Sequence, residues 1–220
     1  MKRIVLLLTL FFAFGFASIV KISAYEPLPY WYSDSTKISS FSQSSVDYSI
    51  ARYDGCNMTI SNLDSYIDYA VGEWDDMFSP DFSLVSYGTG EDVQTGCISR
   101  NNADDLNIPE NVVGFGGTGT MTFSQRFRNP ELTGYINFYT HSSGATYLIW
   151  DDDGTDGSVQ TSNFTITQWR NVATHEIGHV MGFLGHNTQG TAQLMHMYTN
   201  SITTIQFYDK KHMLLVYGLE

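Results

Sequence analysis

Basic side chains are scarce in this chain. Only 11 Lys and Arg stand against 23 Asp and Glu, giving a formal charge of −12 although 15% of the residues are charged. A phosphate backbone would be repelled by such a surface rather than neutralised, so nucleic acid is disfavoured as a partner. Cysteine is sparse too. The two cysteines, Cys56 and Cys97, have no partner at short spacing, which argues against a thiolate metal site. The sequence has no internal repeats. Beyond the first residues no apolar run approaches membrane-spanning length.

The start of the chain is different. Lys2 and Arg3 precede an apolar run from Ile4 to Val20, and Ile22-Ser23-Ala24 offers a small residue for cleavage. This is the pattern of a secretory signal peptide over residues 1–24. An uncleaved anchor is the alternative, because the run is long for a leader. Ala24 and the helix-breaking Tyr25-Glu26-Pro27 favour cleavage, and hence a secreted, extracellular protein without stable membrane association. In an oxidising compartment the even cysteine count favours one Cys56–Cys97 disulfide. The loop it closes would contribute about 3–4 kcal/mol by the chain-entropy argument. Two separate buried thiols are the other reading.

Hydrophobic content of 42% is enough for one core, and one domain is expected. Residues 25–45 are rich in Ser, Pro and Tyr without a sustained period and read as an N-terminal extension, leaving 46–220 as the domain. Val46 to Arg52 alternates as a strand. Ser61 or Asn62 can cap a helix to about Phe78, with Leu63, Ile67, Ala70, Val71 and Trp74 on one face. Strands are expected over Phe82–Tyr87, Asn111–Phe115, Met121–Arg128, Tyr135–Tyr139 and Tyr147–Trp150. Gly114–Gly119 reads as a loop bordering a cleft, since no Lys-Ser/Thr follows as phosphate binding would require. Helices are expected from about Thr167 to Met181 and from about Thr204 to Tyr217. The order of elements gives an α+β or α/β domain.

The most specific signal is His175-Glu176-Ile177-Gly178-His179-Val180-Met181-Gly182-Phe183-Leu184-Gly185-His186, or H-E-x-x-H-x-x-G-x-x-x-H. Histidines four apart on a helix share a face, so both rings can reach one ion. Glu176 projects beside them, where it can hold and deprotonate a water. Zinc lowers the pKa of a bound water to about 7 and polarises a carbonyl under attack. Gly182 falls where a helix end needs a left-handed residue to reverse the chain, which lets His186 return to the ion. Solvated histidines on a surface helix are the bland alternative. Against it, Trp169, Val172, Ala173, Ile177, Val180 and Met181 make the helix amphipathic.

These residues resemble the metzincin metalloproteases, and within them the matrixin-like secreted peptidases. HEIGHVMGFLGH, the downstream QLMHMY and the closing YDKKHMLLVYG carry the resemblance from about Ala173 to Gly218. Earlier it is architectural, through the Trp74 helix and the strand GYINFY. The resemblance implies a zincin-like α+β fold: a twisted mixed β-sheet with an active-site helix, a second packed helix and a C-terminal helix. It also implies a methionine in a tight turn beneath the ligands, which Met195 matches. Tyr198 is similar to a tyrosine that stabilises the oxyanion in some metzincins, but its offset differs and a place in the pocket wall is the safer reading. In the family the third histidine falls one residue earlier, where this chain has Gly185. Gly182 and Gly185 can absorb the extra residue, so His186 is the expected third ligand.

His196 is the competing ligand, though its place beside Met195 suits a wall of the substrate cleft better. A downstream carboxylate is the other option for the third position, and Asp209 reads better as a solvated first-turn residue of the last helix. Only His141 lies where a second, structural zinc would be held, so that site is unsupported. Asp151, Asp152, Asp153 and Asp156 form an acidic loop in which Ca2+ could sit. The loop departs from the EF-hand pattern, and a solvated turn is an equal reading. Taken together, the sequence points to a monomeric zinc endopeptidase acting on protein or peptide substrates. Glu176 would be its catalytic base, with one Zn2+ on His175, His179 and His186. A non-catalytic exported zinc-binding or adhesion module of the same fold is the rival.

Overall fold

The structure, a computed structural model, describes residues 37–78, 83–86, 92–128, 135–155, 157–187 and 192–217. The expected signal peptide, and most of the expected N-terminal extension, lie outside the described residues.

Five strands build the main sheet: β2 (Ser45–Arg52), β3 (Ser83–Ser86), β4 (Val93–Ser99), β5 (Gly114–Thr118) and β8 (Gly144–Trp150). Their order is β3-β2-β4-β8-β5, with all pairs parallel except β5, which runs antiparallel to β8 at the edge. A second, three-stranded sheet has the order β1-β7-β6, from β1 (Lys37–Phe41), β6 (Thr122–Arg128) and β7 (Tyr135–His141). Helices α1 (Ile60–Phe78) and α3 (Ile166–Val180) pack on each other and on the main sheet. A short α2 (Arg100–Asp105) follows β4, and α4 (Phe207–Tyr217) packs on β1. The fold is α+β with mixed sheets, the zincin-like arrangement.

Sequence and structure agree on α1 and α3 because their apolar stripes are long, whereas the six-residue α2 was not expected. Leu63, Tyr66, Ile67, Ala70, Val71, Trp74 and Phe78 form the buried face of α1. The cap lies earlier than expected: Thr59 Oγ1 accepts the amide of Asn62, and the helix begins at Ile60. Thr165 and Gln168 close a capping box at the start of α3, each side chain accepting from the other's backbone N–H. The Trp74 indole N–H donates to the Thr174 carbonyl at 2.8 Å, which sets α1 against α3.

The misses have physical causes. β4 (VQTGCIS) lies between two parallel neighbours and is buried on both faces, so it has no alternation to detect. β1 falls within the stretch read as an extension. Its five residues, KISSF, bury Ile38, Ser39, Ser40 and Phe41 without a polar/apolar period. Gly114–Gly119 is not a loop, because residues 114–118 are the edge strand β5. Cys56 and Cys97 form the disulfide, tying the turn after β2 to β4 with Cα atoms 5.9 Å apart.

Trp74→Phe keeps an aromatic ring in the core but removes the indole N–H that adds a second donor to the Thr174 carbonyl of α3, and it leaves a smaller ring in a fully buried site. The expected cost is about 1–3 kcal/mol of unfolding free energy, to be read from denaturant titration.

Candidate metal centre

The end of α3 is shaped by backbone chemistry. Gly182 takes φ +108°; its amide donates to His179 O and that of Phe183 donates to Gly178 O, the paired bonds of a Schellman motif. Gly182 also has no room for a side chain, because a Cβ there would overlap the carbonyl oxygen of Ser39 on β1. Gly185 takes φ +100° and completes the reversal. The chain then brings His186 back to the helix. Ligand atoms of His175, His179 and His186 lie within 4.8 Å of one another, and the three rings sit 4.8–5.3 Å apart between centroids.

Two carbonyls aim the first pair of imidazoles. His175 Nδ1 is 2.9 Å from Leu194 O, and His179 Nδ1 is 2.7 Å from Phe183 O. A carbonyl can only accept, so both Nδ1 atoms carry the proton and both Nε2 atoms carry a lone pair. Those two Nε2 atoms face each other at 3.1 Å. Lone pairs at that separation repel unless a cation lies between them. Two zinc–nitrogen bonds of about 2.0–2.1 Å at a tetrahedral angle would set the nitrogens roughly 3.3 Å apart. The donor set therefore fits zinc. Burial holds the His179 pKa down to about 4 and lowers those of His175 and His186, so all three rings are neutral ligands at pH 7.

Glu176 is buried beside them, and desolvation raises its pKa to about 8, opposed by a hydrogen bond from the Gly116 amide; a divalent cation on the adjacent imidazoles would pull it back down and ionise the carboxyl. That bond is the contribution of β5. A Cβ at Gly116 would overlap the Glu176 carbonyl, so the glycine-rich strand lies directly on α3. The glycines are conspicuous in the sequence; their role was hidden because a strand without side chains has no hydropathy pattern.

Met195 is fully buried, its sulfur against Gly178 of α3, the residue before His179. His196 is half-buried, and its Nδ1 accepts the Tyr198 amide at 3.3 Å. Tyr198 is 69% exposed. Neither residue belongs to the three-histidine cluster.

Two expectations, for Asp209 and Asp151, are corrected. Asp209 is not solvated: it is buried, and its carboxylate accepts from Asn187 Nδ2 (2.9 Å), the Leu194 amide (2.8 Å), and the amides of Met195 and Gln206. It thereby fastens the segment after His186, the methionine turn and the start of α4 to one point. Apolar neighbours along the chain would have been the only hint, and adjacent Lys210 and Lys211 suggested the opposite. Asp151 is buried as well, its oxygens taken up by Ser158 and by the amides of Asp153 and Gly154. Those bonds occupy the Asp151 carboxylate, while Asp152 and Asp153 are exposed and Asp156 lies outside the described residues. His141 is a buried structural histidine: its Nε2–H donates to Val180 O at 3.0 Å, and Ser39 Oγ donates to its Nδ1 at 2.7 Å. It supplies an acceptor-satisfying cap to the end of α3.

The matrixin family model matches residues 40–218 of the chain. No curated protein matches it.

Asp209→Leu removes the shared acceptor and leaves at least two buried amides unpaired. The expected loss is about 3 kcal/mol or more of stability together with weakened zinc binding, checked by thermal melts and metal competition. His141 gives a pH test. Burial lowers its pKa from 6.5 to about 4, so below pH 6.5 the unfolded chain takes up a proton that the folded chain refuses. Stability from the neutral ring is complete above about pH 6.5 and falls by about 3 kcal/mol as the pH drops through 4. His141→Gln should show a shallower fall in melting temperature between pH 7 and 4.5 than the wild type.

Proposed function

The chain belongs to the matrixin family of metallopeptidases, and from that premise we propose that it is a secreted zinc endopeptidase. His175, His179 and His186 would hold the zinc, and Glu176 would act as the general base. The convergence of three neutral imidazoles with a buried carboxylate at their side carries this reading. Zinc held there would supply Lewis-acid polarisation of the scissile carbonyl and acidify the attacking water. Glu176 would take the proton from that water and deliver it to the leaving amine, so one carboxylate serves as base and then acid. The Gly116 amide would hold the carboxylate in place on β5. Met195 would support the ligands from below, and His196 and Tyr198 would line the substrate cleft.

Extracellular location is part of the proposal. It rests on the leader-like residues 1–24 and on the Cys56–Cys97 disulfide, a bond of oxidising compartments. Among the described residues no helix is long and apolar enough to cross a membrane. The catalytic domain would be residues 46–220, with β1 packed onto it, acting as a monomer on protein or peptide substrates.

A structural zinc module is the competing function. Structural zinc has four protein ligands, whereas the cluster among the described residues offers three. An open coordination position beside a carboxylate favours hydrolysis.

Glu176→Gln should retain one equivalent of zinc while kcat/KM on casein or a peptide falls by about 100- to 10,000-fold. Undiminished cleavage by this variant rules out the base assignment. Chelation should abolish wild-type cleavage and added zinc should restore it. A protein that holds zinc but cuts no member of a peptide library is the structural module instead.

A further inference from the structure

Asn171 lies on α3 one turn before His175 and is buried. Mid-helix asparagine is intrinsically unfavourable, and burying its amide costs more unless every polar atom is satisfied. The side chain is spent entirely on residues 200–202. Its Nδ2 donates to Asn200 Oδ1 at 3.1 Å and to Ile202 O, while its Oδ1 accepts the Asn200 amide at 3.1 Å. Asn200 continues the pattern: its Nδ2 donates to Gln193 O at 3.1 Å and its Oδ1 accepts the Ile202 amide at 2.7 Å. Tyr69 Oη, from α1, donates to Thr203 Oγ1 at 3.2 Å just beyond.

These bonds close residues 193–202 into a loop and fasten its far limb to α3. The near limb, which Asn200 reaches at Gln193 O, has a tie of its own, because Asp209 takes the Leu194 amide and Leu194 O aims His175. Between the two ties lies an arc, His196-Met197-Tyr198, in which Met197 is 47% and Tyr198 69% exposed. Nothing in the core holds such exposed side chains in place. Their position follows from where the two ends of the arc are anchored.

We propose that Asn171 and Asn200 form a clasp that positions the His196–Tyr198 arc as a rim for bound peptide. They are positioning residues, remote from the reacting atoms. The inference rests on the peptidase reading, and it separates two jobs within one loop: the Asp209 side secures the ligand, and the asparagine side secures the grip on substrate.

The test uses Asn171→Ala, Asn200→Ala and the double variant in the zinc-loaded protein. Three readouts are needed: bound zinc, Michaelis parameters on a peptide that the wild type cuts, and amide hydrogen exchange over residues 196–202. Each variant should keep one zinc, and KM should rise roughly tenfold with kcat changed less than about threefold. The double variant should be no worse than the more damaged single one, since both changes open the same clasp. Exchange at Asn200 and Ile202, and across the arc, should quicken while α3 stays protected. Loss of zinc in step with activity overturns the proposal in favour of a metal-scaffold role, and faster exchange with unchanged KM overturns it too. Should Asn171→Ala fail to fold, Asn200→Ala, which leaves α3 intact, decides the question. A wild type that cuts no peptide defeats the peptidase reading instead; the clasp then stands or falls on exchange, and an arc still protected in the variants refutes it.

Discussion

The site depends on two nitrogen lone pairs held face to face. His175 and His179 donate their Nδ1–H groups to the carbonyls of Leu194 and Phe183, which leaves their Nε2 atoms converging at 3.1 Å. Such an arrangement is unfavourable by itself and favourable around a cation. Both carbonyls belong to chain that follows α3, so whatever fixes that segment also fixes the ligands. This explains why polar groups far apart in sequence gather there: Asp209 beneath the methionine turn, His141 and Tyr217 on the last carbonyls of α3, and Ser39 against Gly182.

Packing around α3 follows a second rule. Where a neighbour must approach the helix closely, one side of the contact has no side chain. Gly178 admits the sulfur of Met195, Gly116 lets β5 lie on Glu176, and Gly182 meets β1. A methyl at any of these positions would push a catalytic or supporting element outward, and interiors packed at crystal-like density relax little. The edge strand is thereby brought near enough for its amide to reach the Glu176 carboxylate. Fold and electrostatics meet at that hydrogen bond.

Elements with a strong local signal were legible. The stripes of α1 and α3 repeat over several turns, and β2, β6 and β8 fall close to the expected segments. The histidine spacing named its own geometry, since residues four apart on a helix must share a face. Elements whose character comes from neighbours were not legible. β4 is a strand because parallel partners cover both its sides, and β5 because β8 offers an edge. Asp209 reads as a surface acid by its lysine neighbours, yet the Gln206 amide and three donors from the earlier Asn187, Leu194 and Met195 make burial of its carboxylate tolerable.

What the sequence determined alone was therefore whatever depends on separations within one turn or one reversal: the ligand pair, the carboxylate beside it, and the glycines that return His186. Backbone geometry is local, and those distances do not need the rest of the molecule. The tertiary structure decided the remainder: which carbonyls orient the imidazoles, which strand touches Glu176, and which asparagines tie the 193–202 loop to α3. Apart from the Phe183 carbonyl, four residues from His179, those are pairings between groups 19 or more residues apart. Hydrogen-bonding capacity is written in every polar residue, but its partner is chosen only when the chain folds.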